Sequence, residues 1–176
     1  YSAERVAAAR EIIDEAGKST RFMTPPSKGF RLLRDAVLSL SLTHEFVRPL
    51  YHWRTSRPHD YLDSPLNAAD DDSAAFIAGP ANGGPLPNVL LADGDFLLDH
   101  LRARFTLLVR DDADEVAALP TLRLPRHAAE RLGLQSKRAA LLVRPDQHVC
   151  ARWTHVTAQR LQAALARATA LETAPC

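Results

Sequence analysis

The sequence predicts an α/β fold, and three observations carry the prediction. Residues 141–153, LLVRPDQHVCARW, read as two antiparallel strands across a tight connection, with a helix from Ala158 to Ala170 behind them. Phe105 to Val109, FTLLV, is an apolar run of the length and composition of a buried strand. Residues 1–56, by contrast, carry helical spacing.

The elements follow in order. Tyr1 to Ala16 is rich in good helix formers, with Val6, Ala9, Ile12, Ile13 and Ala16 on one stripe, and Gly17 is the expected stop. Thr24-Pro25-Pro26-Ser27 interrupts the chain. Lys28 to Leu42 reads as a second helix. Phe30, Leu33, Val37 and Leu40 are joined there by Leu32, Ala36 and Leu38, so the helix asks for partners on two sides. Thr43 to Trp53 reads as a third, shorter helix, capped by Thr43 and kinked at Pro49.

Residues 57–88 change character. Pro58, Pro65, Pro80, Pro85 and Pro87 fall here with Gly79, Gly83, Gly84 and the run Asp70-Asp71-Asp72, which predicts an irregular linker between two bodies. Residues 89–172 then read as a small α/β domain. Helices are expected over Asp95 to Leu101, Asp111 to Leu119 and His127 to Leu132. Strands are expected at Thr121 to Leu124, Ala139 to Val143 and Val149 to Trp153. Thr157 is the expected cap of the last helix, where Leu161, Ala164, Leu165 and Ala168 share a face.

Composition narrows the function. A chain of 176 residues suffices for one domain plus an appendage. The net charge of +1 gives no basic field for nucleic acid or an anionic membrane. No apolar run approaches the roughly 18–20 residues of a bilayer span. The only cysteines, Cys150 and Cys176, suit a reducing cytoplasm better than a disulfide framework. The chain opens on Tyr1 and not on Met, which reads as a piece of a longer protein with its catalytic centre upstream.

Residues with chemical potential are few. Cys150 reads as a small buried thiol on a strand, sharing a face with Arg152 while Val149, Ala151 and Trp153 take the other. The histidines are His44, His52, His59, His100, His127, His148 and His155, and none has the spacing of a zinc hydrolase helix. His148 and His155 flank the hairpin strand, within reach of a carboxylate. Asp70-Asp71-Asp72 lacks the alternating oxygens and glycine of a calcium loop. GPANGG at 79–84 lacks the Lys-Ser/Thr of a phosphate loop, and there is no G-x-S-x-G. Phe30, Phe46, Tyr51 and Trp53 have the spacing of core aromatics, with shaping of a substrate entrance or dimer contact as the functional option.

Several stretches, taken in order, resemble one family. Tyr1-Ser2-Ala3-Glu4-Arg5 resembles the Y-x-x-E-R that follows the flavin-binding region of group A FAD-dependent aromatic-ring hydroxylases. Phe22-Met23 and Arg34-Asp35 resemble the next stretch in relatives of hydroxyphenylpropionate hydroxylase and phenol hydroxylase-like monooxygenases. Pro87 to Asp99, PNVLLADGDFLLD, is similar to the opening of their C-terminal domain. Phe105 to Leu108 resembles its first strand, and Leu142 to Trp153 its hairpin, with Gln147 where a glycine is expected after Asp146. The resemblance implies a thioredoxin-like C-terminal domain in an enzyme that binds FAD, uses NADH or NADPH and hydroxylates a phenolic ring. It also implies a homo-oligomer, and places the FAD-binding region before Tyr1 as the partner of this piece.

A redox-active thioredoxin-like domain needs C-x-x-C at the helix after its first strand, where the helix dipole lowers the thiol pKa. Arg110-Asp111-Asp112-Ala113 stands there, and Gln135 to Arg138 supplies no proline before the third strand. The expectation is therefore a scaffold piece with no catalytic, cofactor-binding or metal-binding residue of its own. The alternative is a freestanding, redox-inactive thioredoxin-like interaction domain.

Overall fold

The computed structural model describes residues 2–51, 58–69, 72–114 and 119–170. The chain divides into two units, Tyr1–Pro58 and His59–Cys176.

In the first unit, α1 spans Ser2–Met23 and α2 spans Lys28–Ser41. Helix α1 runs through Gly17, contrary to the expected stop. A Cβ there would meet nothing within 4 Å, so Gly17 has no left-handed turn to make and carries only its helix-propensity cost. Lys18 pairs back to Glu15, Arg21 Nε donates to the Gly17 carbonyl, and the helix ends before Pro25-Pro26. Ser27 caps α2 by accepting from the Phe30 N–H. The expected third helix is a 3-10 turn at Glu45–Leu50, led by His44 and not by Thr43. Trp53 lies outside the described residues.

Apolar positions in this unit are largely uncovered. Val6, Ile12 and Ile13 of the predicted α1 stripe are exposed, as are Phe30, Leu33 and Leu40 of α2, while Ala8, Val37 and Val47 are buried. The expected core role of Phe30 and Phe46 fails within the unit: Phe46 is 77% exposed, because a pair of helices offers too few neighbours to enclose it. Tyr51 stacks on Phe22 at 6.1 Å.

The second unit is α/β. Two short strands, β1 (Leu90–Ala92) and β2 (Asp95–Phe96), form a hairpin across Asp93-Gly94, followed by the single-turn helix α3 (Leu97–His100). The helix expected over Asp95 to Leu101 is thus confined to Leu97–His100, with Asp95 and Phe96 in a strand instead. Gly94 has φ +72, the left-handed conformation that a two-residue Asp-Gly loop requires. The main sheet has four strands, β3 (Thr106–Arg110), β4 (Thr121–Leu124), β5 (Ala140–Val143) and β6 (Val149–Trp153), in the order β4-β3-β5-β6. β3 runs parallel to β4 and antiparallel to β5, and β5 antiparallel to β6. The helix expected over Asp111 to Leu119 does not begin at Asp111: residues 111–114 are turn and irregular chain, and residues 115–118 lie outside the described residues.

Both faces of the sheet are covered. On one, Leu108, Leu141 and Val143 pack with Leu97, Leu101 and the α4 (Arg126–Arg131) residues Ala128 and Ala129. On the other, Leu107, Val109, Leu142 and Trp153 pack with Leu161 and Ala164 of α5 (Ala158–Ala168). Thr157 caps α5 through the Arg160 N–H, as expected. Burial on both faces is why β3 and β5 are continuous apolar runs.

The β5–β6 ladder contains a bulge. Leu142 opposes Ala151, but Val143 opposes Val149, so Cys150 is the extra residue. The alternation expected for the strand is therefore broken: Val149 joins the first face, while Cys150, Ala151 and Trp153 join the second.

Ala68 and residues 83–86 lie along β6, the outer strand, and its turn. Gly83 N–H donates to Val149 O, Val149 N–H to Gly84 O, and Ala68 N–H to Cys150 O. Tyr61, Asn67, Asn82 and Leu86 are buried. The irregular stretch thus satisfies an edge that would otherwise present unpaired backbone groups.

Candidate functional site

In a redox-active thioredoxin-like domain a thiol pair would stand at the corner that here follows β3. Arg110, its guanidinium nearly buried, reaches Asp112 with Nε at 2.9 Å from Oδ1 and Nη2 at 2.8 Å from Oδ2, a bidentate pair. Its Nη1 donates to the carbonyl of Gln135 at 2.8 Å. Arg123, on the neighbouring β4, donates to the carbonyls of Asp111 (3.2 Å) and Ala113 (2.7 Å). Lys137 stands 3.8 Å from Asp112. Two guanidiniums from adjacent strands therefore clasp this turn. An arginine does not give up its proton, and the carboxylate is already engaged, so the corner is built for holding.

A second polar cluster sits at the β5–β6 turn. Arg144-Pro145-Asp146-Gln147 closes with Gln147 N–H donating to Arg144 O and Arg144 N–H to His148 O. Gln147 takes φ 65, the left-handed position of a type I turn followed by a bulge. Arg144 Nη2 meets Asp146 Oδ2 at 2.8 Å and lies over the Tyr61 ring at 5.8 Å. His148 Nδ1 is 3.1 Å from the Asp146 carbonyl and 3.5 Å from its Oδ1, and Nε2 is 2.9 Å from the carbonyl of His59. The Tyr61 ring packs on His148 at 4.7 Å. Burial opposes charge on Asp146, but His148 and Arg144 outweigh it and hold the carboxyl far below its usual range. Burial likewise opposes charge on His148, and the Asp146 carboxylate and His59 carbonyl outweigh it, raising the imidazole pKa.

His148 faces the Asp146 carboxylate, one of the options open to it, but it is buried and not the surface histidine expected from the sequence. The carbonyl of His59, eighty-nine residues away, has no local signal in sequence. His155 offers its carbonyl to Arg160. His127 reaches Leu90 O at 3.1 Å, and His100 pairs with Asp95 at 2.6 Å on the surface. His44 packs on Phe46, and His52 lies outside the described residues.

Cys150 is buried, its Sγ 3.5 Å from the Leu142 carbonyl, and burial pushes its thiol up to about 12. Such a thiol is a poor nucleophile. Cys176, Asp70 and Asp71 lie outside the described residues. Asp72 takes a structural place: its Oδ2 accepts from the Thr154 N–H (2.9 Å), the Thr154 hydroxyl (3.0 Å) and Arg160 (3.2 Å). Burial disfavours its charge, and these donors outweigh that and lower its pKa. In GPANGG, a Cβ on Gly79 would fall 2.1 Å from Leu132 O and one on Gly83 2.1 Å from Tyr61 O, so these glycines permit backbone packing. Among the described residues, no group of His, Cys, Asp and Glu is placed to hold a metal ion, and no helix is long and apolar enough to cross a membrane.

Hollows are present in each unit among the described residues. In the first unit, Phe22, Phe30, Leu33, Val37 and Leu50 line an apolar groove of about 280 Å³ with Lys18, Arg21 and Arg34 at its margin. In the second, Trp153, Ala164, Arg160 and Arg167 border one of about 200 Å³. There Arg160 is held by Asp72, and Arg167 donates to Asn67 O at 3.4 Å.

No known protein family matches the sequence, and no curated protein does. Solved structures do. The chain is similar to the rebeccamycin biosynthetic enzyme RebC with reduced flavin, at TM-score 0.62 and 21% identity, over 96% of this chain and 35% of that one. It is similar to chromopyrrolic acid-soaked RebC with bound 7-carboxy-K252c, at TM-score 0.63 and 23% identity, over 97% of this chain and 36% of that one. The RebC-10x variant with the same bound molecule gives TM-score 0.63 and 22% identity, over 96% and 35%. The likeness is one of fold. The chain spans about a third of the length of these solved proteins.

Proposed function

We propose that this chain is the C-terminal part of an FAD-dependent, NAD(P)H-using monooxygenase that hydroxylates phenolic aromatic compounds, and that the part itself serves packing and assembly. The observation that carries this reading is a coincidence over the same residues. Sequence pieces resembling aromatic hydroxylases run in order from Tyr1 to Trp153, and the fold likeness to an enzyme solved with reduced flavin covers 96% of the chain. The strand order β4-β3-β5-β6, with β4 parallel to β3 and the rest antiparallel, supports a thioredoxin-like second unit. The Arg110–Asp112 clasp supports a domain that holds its shape and does no thiol chemistry.

In this reading FAD and NAD(P)H bind in the upstream region, and the flavin supplies the oxygen-transfer chemistry. The residues of this chain bind and position. The exposed Ile12, Ile13, Phe30, Leu33 and Phe46 are surface for that upstream region or for a second subunit of a homo-oligomer. The cytoplasm is the compartment the reading implies. The test is to purify the polypeptide encoded with its upstream region and record its visible spectrum. Bound flavin supports the reading, and FAD binding by residues 1–176 alone would overturn the placing of the cofactor upstream.

One observation favours the alternative, a freestanding redox-inactive thioredoxin-like interaction domain. The second unit has an apolar core on both faces of its sheet. A start codon immediately before Tyr1 would decide for that alternative.

A further inference from the structure

We propose that His148 is a proton-operated latch: as an imidazolium it holds His59–Tyr61, where the chain enters the second unit, against the β5–β6 turn, and on losing a proton it releases them. The geometry of the ring carries this. Both ring nitrogens face acceptors: Nδ1 the carbonyl and carboxylate of Asp146, Nε2 the carbonyl of His59. A neutral imidazole has one N–H, so only the imidazolium satisfies both sides.

The two contacts differ in reach. Asp146 belongs to the same turn as His148 and stays beside it in any protonation state. The His59 carbonyl belongs to a segment held by that bond and by the Tyr61 ring on His148, while Tyr61 itself is also anchored by its N–H donating to Gly83 O at 2.8 Å, by Asn67 Nδ2 donating to its carbonyl at 2.7 Å and by Arg144 over its ring. A neutral ring donating to Asp146 turns a lone pair toward the His59 oxygen, which repels it.

The groups around the ring are consistent with proton control. From the turn come the carboxylate of Asp146 and the guanidinium of Arg144. From the segment come the His59 imidazole, 5.2 Å from the Tyr61 ring, the Tyr61 phenol, and Asp60 between them. Residues 81–86 pair through Pro85 and bring no charged side chain. Along β6, the Cys150 thiol is turned toward Leu142 O and stays neutral. Asp146 is the negative partner in the turn, and it favours the charged ring. The sign follows: the raised His148 pKa contributes holding below the free-histidine value of about 6.5 and loses it as pH rises through the folded value.

The test uses the 176-residue chain with ¹⁵N-labelled histidine and amide exchange corrected for intrinsic rates. At about pH 6, both His148 nitrogens are expected to carry protons. As His148 titrates, protection of the Tyr61 amide is expected to fall about tenfold or more, the loss of one charge-assisted hydrogen bond, while that of Leu108 in β3 stays level. Asp146→Asn should move the titration and the release to lower pH together. His148→Gln, a donor with no titration, should leave Tyr61 protection independent of pH. Constant Tyr61 protection while wild-type His148 titrates would overturn the proposal, as would a His148 pKa at or below the free value.

Discussion

Replacing Arg110 by methionine is the sharpest test of the corner after β3. Methionine keeps the apolar stem of the side chain and removes the guanidinium. Three hydrogen bonds are lost, two to Asp112 and one to the Gln135 carbonyl. A buried charge-assisted bond is worth about 1.5–3 kcal/mol. The Asp112 side chain is 38% exposed, so solvent screening brings its share down to about 1 kcal/mol. The Gln135 carbonyl, partly rehydrated, adds about 1 kcal/mol. The sum is about 2 kcal/mol, which in a unit of this size lowers the melting temperature by roughly 6–12 °C. Urea denaturation followed by Trp153 fluorescence, in a Trp53→Phe background, measures it. A double cycle with Asp112→Asn should show a coupling of about 1 kcal/mol, because the two side chains share one pair. A change within about 0.5 kcal/mol for Arg110→Met, with no coupling, would refute the clasp.

Other positions give independent checks. Gln147 holds φ 65, so Gln147→Gly should stabilise by about 0.5–1 kcal/mol, relief of left-handed strain less the entropy of glycine, and a lower melting temperature would contradict this. Gly83→Ala places a Cβ 2.1 Å from the Tyr61 carbonyl at φ +86, and should cost roughly 2–4 kcal/mol in urea denaturation, where a neutral result would show that Gly83 is not packed against Tyr61. Cys150, with its thiol near 12, should resist a water-soluble thiol reagent at about pH 8 in a Cys176→Ser chain until the protein unfolds, and rapid labelling of the native protein would disprove its burial.

The α/β unit was legible wherever local pattern and tertiary environment agreed. β4 and β6 were readable to the residue from their alternating pattern, and β3 and β5 nearly so, because strands buried on both faces need continuous apolar runs. Thr157 was legible because a cap acts on its own next turn. The β1–β2 hairpin was missed although Asp93-Gly94 is its usual signal, since the flanking leucines fit a helix equally well. The bulge at Cys150 had no such signal, and one extra residue reverses which face Val149 takes.

The long-range contacts were the least legible. Proline and glycine content announced irregular chain, which the described residues of 58–88 show, but composition says nothing about where irregular backbone finds its hydrogen bonds. His148 illustrates the limit for the candidate site. Asp146 is two residues away and could be anticipated, whereas the His59 carbonyl is brought there only by the fold. In the helical unit, spacing located α2 and the start of α1 but neither the end of α1 nor the burial, because a helical glycine need not stop a helix and the partners that amphipathic faces require are not specified by the helix itself.

The central claim is that this chain is the scaffold end of a flavin-dependent aromatic hydroxylase. It is tested most directly by flavin content, measured by visible absorbance on two purified proteins, residues 1–176 and the same residues with the polypeptide encoded upstream. No flavin is expected on the first and one FAD per chain on the second, with flavin reduction by NADH or NADPH stimulated by a phenolic compound. A longer protein that carries no flavin, or an open reading frame that begins at this chain, would contradict it.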